Sequence, residues 1–170
     1  MGRGIPFFAA AVATVIAAAS WSSVRAAGEW SAGTSIDKMS GAKTLIIERR
    51  APIPFKAGSR TVRPRLAIQC APKRPVELFV DLDFPIARTS GGKARLKFDD
   101  KAPSTVTGNR SDDGTALFLP GAPNLIRSLA KAKEFRVEVT PVTGTPVIVE
   151  FLVGGLDAHA NALKDCGVKI

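Results

Sequence analysis

Three observations predict a mainly β fold, an antiparallel β-sandwich or roll of about seven strands with one short helix, a C-terminal helix and a single disulfide. Several stretches alternate apolar and polar residues with the period of a half-buried strand. Clusters of Pro, Gly, Asp and Ser separate these stretches at short intervals, as turns do. Only two stretches space their apolar residues as a helix would, and each carries a helix start or stop signal.

In chain order, residues 1–26 come first and read as a cleavable secretory leader. Arg3 supplies the positive start, Ile5 to Ala19 form an apolar run, and Val24-Arg-Ala26 places small residues at the −3 and −1 positions. The run is shorter than the roughly 20 residues that span a bilayer. The predicted location is therefore periplasmic, reached through this leader. About 144 residues remain, enough for one domain with its own core. Residues 27–42, polar and rich in Ser and Gly around Trp30, read as an N-terminal arm of weak local structure, with Trp30 tucked onto the core. Residues 43–170 read as a single β-rich domain.

Within that domain Thr44 to Arg49 is the first strand, and Ala51-Pro-Ile-Pro54 ends it because proline donates no ladder hydrogen bond. From Thr61 to Cys70, the residues Val62, Leu66, Ile68 and Cys70 share one face, while Arg63, Arg65 and Gln69 share the other. Pro64 in that run argues for an edge or a bulge. The clearest strand follows, with Val76, Leu78, Val80, Leu82 and Phe84 inward and Glu77, Phe79, Asp81 and Asp83 outward. After Ser90-Gly-Gly92, Ala94, Leu96 and Phe98 point inward while Lys93, Arg95 and Lys97 point outward. A polar loop with a short strand near Val106 leads through Asp112-Asp-Gly114 to a strand over 115–119.

Pro123 begins a short helix with Leu125, Ile126 and Leu129 on one side. The stretch 134–140 alternates with Phe135, Val137 and Val139 inward, and 141–146 form a hairpin-sized loop. Val147 to Val153 is apolar on both faces except for Glu150, which predicts a central strand covered on both sides. In the closing helix Leu156, Ala160 and Leu163 share a face, and Gly167 stops it.

Two cysteines, Cys70 and Cys166, admit one intramolecular pairing, and an oxidising compartment permits it. Closing a loop of about 95 residues stabilises by ~4–5 kcal/mol in chain-entropy terms. The alternative is two free buried thiols. The formal charge is +9, or +7 once Arg3 and Arg25 leave with the leader. Most of the excess lies between Lys43 and Arg74, where Glu48 is the lone acid. If Arg63 and Arg65 lie on a strand neighbouring the outward set Lys93, Arg95 and Lys97, the five form a cationic binding face. Its partners would be an envelope protein, an anionic envelope polymer or a peripheral membrane surface. The alternative is a solvated face that serves solubility. Nucleic acid is not expected, since no aromatic residues interleave with the charges to stack bases.

No catalytic signature emerges. His159, the single histidine, lies beside the core face of the last helix with no nucleophile motif to serve. Neither a zinc nor a calcium ligand spacing is present, so no metal or cofactor is expected. Asp81 and Asp83 project from one strand face about 6.6 Å apart. They could act as the carboxylate pair of a cell-wall glycan hydrolase, although that chemistry wants its carboxylates across a cleft. Their alternative is the solvated side of a half-buried strand.

One ordered series of segments carries a family likeness. It runs through Leu66-Ala-Ile-Gln-Cys70, Glu77-Leu-Phe-Val-Asp81, Leu96-Lys-Phe-Asp-Asp100 and Ser111-Asp-Asp-Gly-Thr-Ala-Leu-Phe118. Phe135-Arg-Val-Glu-Val-Thr-Pro141, Phe151-Leu-Val-Gly-Gly-Leu156 and Cys166 complete it. The series resembles the VasI/TagO-like family of exported bacterial proteins, some of them associated with type VI secretion. The resemblance implies a periplasmic accessory protein without a catalytic centre. The expected function is accordingly non-enzymatic binding of an envelope component or protein partner.

Overall fold

The computed structural model describes residues 29–57 and 59–170, so the predicted leader over residues 1–26 lies outside the described residues. Twelve strands and two α-helices follow one another: β1(Ser31–Ile36), β2(Lys43–Arg50), β3(Phe55–Ala57), β4(Arg60–Val62), β5(Arg65–Cys70), β6(Glu77–Asp81), β7(Lys93–Phe98), β8(Ser104–Thr107), β9(Asn109–Arg110), β10(Ala116–Phe118), α1(Ala122–Lys131), β11(Glu134–Val139), β12(Val147–Leu152) and α2(Ala160–Asp165). A six-stranded sheet has the order β1-β2-β5-β6-β10-β9, a four-stranded sheet the order β12-β11-β7-β8, and β3-β4 form a separate ribbon. Every strand pairing is antiparallel. The fold is thus mainly β, sandwich-like, with the one disulfide Cys70–Cys166.

The period-two pattern decides which faces meet. Leu66, Ile68, Leu78, Val80 and Leu117 of the large sheet share one core with Leu96, Phe135, Val137, Val149 and Phe151 of the small sheet. Phe135 and Phe151 are fully buried, and each such burial stabilises by roughly 1.5–3 kcal/mol. Helix α1 adds Ile126 and Leu129, and the C-terminal segment adds Leu156 and Leu163. That segment begins as a 3-10 turn at Leu156–His159 before α2, and Gly167 ends it at φ 79°.

The two sheets join along one border. Gly108 is the single residue between β8 of the small sheet and β9 of the large one, and its amide donates to the Gly92 carbonyl at 2.9 Å. A side chain at Gly108 would collide with the Phe118 carbonyl oxygen, and one at Gly92 with the Gly108 carbonyl oxygen. Glycine is required at both places because backbone passes against backbone.

Three expectations need correction. Residues 31–36 are not a loose arm: β1 pairs along its whole length with β2. The strand is exposed at an edge of the sheet, held by ladder hydrogen bonds rather than side-chain burial, so it shows no apolar alternation. The predicted strand from Thr61 to Cys70 is two strands, β4 and β5, which belong to different sheets on either side of Arg63-Pro64. Third, β12 is the edge strand of the small sheet, not a central one. Its outward apolar residues Ile148 and Leu152 are 63% and 43% exposed, so its second face is open to solvent.

Asp99 ties the end of β7 to the start of β11. At φ 46° its carboxylate accepts the backbone N–H groups of Lys133 and Glu134, both at 2.9 Å. The Glu134 and Lys133 amides hold this carboxyl below its ordinary value of 3.8. A lowered folded pKa contributes stability above pH 3.8 that is lost as pH falls through the folded value. Asp99→Asn keeps the left-handed backbone accessible. It is expected to melt below the wild type at neutral pH, with the gap closing in acid. A gap of constant size across the acid range in paired melting curves would refute the charge's part in the clamp.

Candidate functional site

The five cations singled out from sequence do not share a face. β5 belongs to the large sheet and β7 to the small one, and their outward sides point away from the common core and from each other. Arg65 lies between two acids, with Nη1 2.9 Å from Glu48 Oε2 and Nη2 2.8 Å from Asp81 Oδ2. Its guanidinium also sits 5.9 Å from the centre of the Phe79 ring. Burial alone would pull the Arg65 pKa down, but hydrogen bonds to Glu48 and Asp81 and the charges of both outweigh it and hold it up. Arg65 is therefore a structural cation, while Arg63 stands exposed between β4 and β5.

On the small sheet, Arg95 pairs with Glu138 at 3.0 Å. Lys97 lies opposite Arg136, which pairs with Glu134 and, at 3.0 Å, with Glu150. Lys93 lies opposite Thr107. The β7 charges are all positive, but β11 alternates Glu134, Arg136 and Glu138 and β12 adds Glu150, so acids interleave with the cations across this face.

Other members of the basic block are also engaged. Arg49 turns inward, is 8% exposed, and donates from Nη1 to the Gly154 carbonyl at 3.0 Å. Burial pushes its pKa down, opposed by the charge of Glu29, and its Nε has no partner. Arg60 faces Asp83 at 3.4 Å on the surface. Asp81 accepts from Arg65 and from the Asp83 amide, so each proposed catalytic carboxylate is already held by a guanidinium. His159 is half-buried at the turn into α2. Among the described residues no group of three or more His, Cys, Asp or Glu is placed to hold a metal ion.

What the fold does bring together is a different set. Lys43, Lys73 and Arg74 line a concavity of about 420 Å³ beside the disulfide, with Leu45, Pro72 and one acid, Asp165. Among the described residues none of the three cations makes an ion pair. Lys43 lies on the same side of β2 as Leu45 and the fully buried Ile47. It therefore stands at the inner face, where the large sheet's hairpin projects. Leu45 pairs with Cys70, the last residue of β5, and Cys166 joins Cys70 across 5.8 Å between Cα atoms.

The turn that follows Cys70 completes the wall. Arg74 N–H donates to the Ala71 carbonyl at 3.2 Å, and Lys73 adopts φ 63°. Proline second and a left-handed residue third are the marks of a type II turn. Glycine or asparagine is the relaxed occupant there; a lysine in that conformation costs about 1–2 kcal/mol. The sequence signal for this site was the pair Lys73-Arg74 between two prolines directly after a cysteine. It was absorbed into a general count of charge and not read as a site.

Comparison with known proteins adds the fold. No protein-family model matches the chain, and no curated protein matches it. A solved structure does, the invasion associated protein B from Bartonella henselae. The likeness covers 82% of this chain and 90% of that one, with 18% identity and a TM-score of 0.50. The two proteins share a fold. At that identity the likeness extends to no residue's role.

Proposed function

We propose that this chain is an exported, non-enzymatic binding domain of the bacterial envelope that takes an anionic group in the basic concavity beside its disulfide. The observation that carries this reading is the convergence of Lys43, Lys73 and Arg74, none of them ion-paired among the described residues, on one hollow with a single acid. Three cations in a partly enclosed site focus a field that an exposed, acid-interleaved lattice does not. The formed disulfide suits an oxidising compartment. No helix among the described residues is long and apolar enough to cross a membrane. The likeness to VasI/TagO-like proteins adds a finer version, in which the anionic partner belongs to a secretion system.

Titration with dextran sulfate, a soluble anionic polymer, tests the site at low and at raised salt. The double variant Lys73→Glu/Arg74→Glu is expected to lose binding. Lys93→Glu/Lys97→Glu, which changes the net charge equally, is expected to keep most of it. Salt should weaken the wild-type complex, because exposed charges are screened. Equal losses in the two double variants would mean that net charge alone binds the polymer, and the concavity would not be the site.

A further inference from the structure

The end of the sandwich that holds the concavity also carries an apolar point. Residues 37–42 connect β1 to β2, and there Met39 is 97% exposed, more than any other large apolar residue among those described. Ile36, which pairs with Lys43 across the hairpin, is 58% exposed. The turn that presents Met39 is well tied. The Asp37 carboxylate accepts the Met39 amide at 3.0 Å, the Ser40 amide at 2.6 Å and the Ser40 hydroxyl at 2.8 Å. The Gly41 amide donates to the Asp37 carbonyl at 2.8 Å, and the Asp37 amide to the Ala42 carbonyl at 2.9 Å.

Lys38 lies in the same turn, Lys43 pairs with Ile36, and Lys73 and Arg74 share the concavity with Lys43; all four are exposed and, among the described residues, none is in an ion pair. Two acids stand against these four cations, Asp37 in the turn itself and Asp165 in the concavity wall, so positive charge is in excess at this end. An exposed apolar point beside a cluster of unpaired cations suits binding to an interface, apolar atoms entering the acyl boundary and cations meeting phosphates. A soluble anionic polymer would use the cations and leave Met39 and Ile36 in water.

We infer that this end of the molecule docks on an anionic phospholipid surface, with Met39 and Ile36 inserted at the headgroup level and Lys38, Lys43, Lys73 and Arg74 on lipid phosphates. The inference rests on the concavity being an anion site and names the ligand that site meets.

Flotation of the mature chain with lipid vesicles tests it. Binding is expected to vesicles of phosphatidylcholine mixed with phosphatidylglycerol, and not to phosphatidylcholine alone. Met39→Ser should weaken vesicle binding roughly tenfold, since the apolar contact is lost, while leaving dextran sulfate binding unchanged. Lys73→Glu/Arg74→Glu should abolish both. Polymer binding without vesicle binding would overturn the membrane inference and leave the anion site standing; loss of neither activity in the double variant would overturn both. Vesicle binding that Met39→Ser leaves untouched would overturn the insertion. So would self-association that disappears in Met39→Ser without any vesicle binding, since the point would then serve a second copy of this chain.

Discussion

Replacing both Cys70 and Cys166 by serine is expected to lower the unfolding free energy of the oxidised protein by about 4.7 kcal/mol, the chain-entropy value for a loop of this size. The bond links positions 96 residues apart, from the end of β5 to the residue after α2. Domains of this size are commonly stable by only about 5–15 kcal/mol, so the loss is a large share of the total. The effect reaches the candidate site as well. Without the bond, nothing covalent holds Cys166 and Asp165 against Lys43 and the Ala71–Arg74 turn, and the concavity loses one wall. Urea unfolding of the oxidised wild type and the double variant measures the difference. A shift below about 1 kcal/mol would show that the unfolded chain gains little from release of the loop, and the clasp would not be structural.

The second large effect is expected at Trp30. The indole is buried and its Nε1–H donates to the Val153 carbonyl at 2.9 Å, joining the residue before β1 to the residue after β12. Trp30→Ala removes the ring from the core and should cost about 3–5 kcal/mol. Trp30→Phe keeps most of the apolar contact but leaves the Val153 oxygen without that donor, a cost of about 1–3 kcal/mol for a buried acceptor. Thermal unfolding should therefore rank the variants wild type, phenylalanine, alanine. If alanine is tolerated within about 1 kcal/mol, the indole does not anchor the first strand, and the large core penalty does not apply here.

The legibility of the fold follows from which forces leave a trace in the residue order. Alternation predicted the inward sets of β6, β7 and β11, and Leu78, Val80, Leu96, Phe135 and Val137 are all buried. Helical spacing predicted α1, where Ile126 and Leu129 face the core. By contrast β1 was missed because backbone ladder bonds hold it, and those bonds need no particular side chains. β12 was misplaced because an apolar strand reads the same whether its second face is covered by protein or open to solvent. Ile148 and Leu152 are open.

The candidate site divides in the same way. The residue order alone determined the mainly β class, the positions of the best-patterned strands, the one possible cysteine pairing and the concentration of positive charge between Lys43 and Arg74. Tertiary structure decided which of those charges act together. It set Arg65 between Glu48 and Asp81, buried Arg49, and placed Arg65 and Lys93 on different sheets. It also gathered Lys43, Lys73 and Arg74 around the disulfide. The physical reason is that alternation specifies a strand's two faces but not its neighbours, and Coulomb interactions depend on the distances that only sheet order provides.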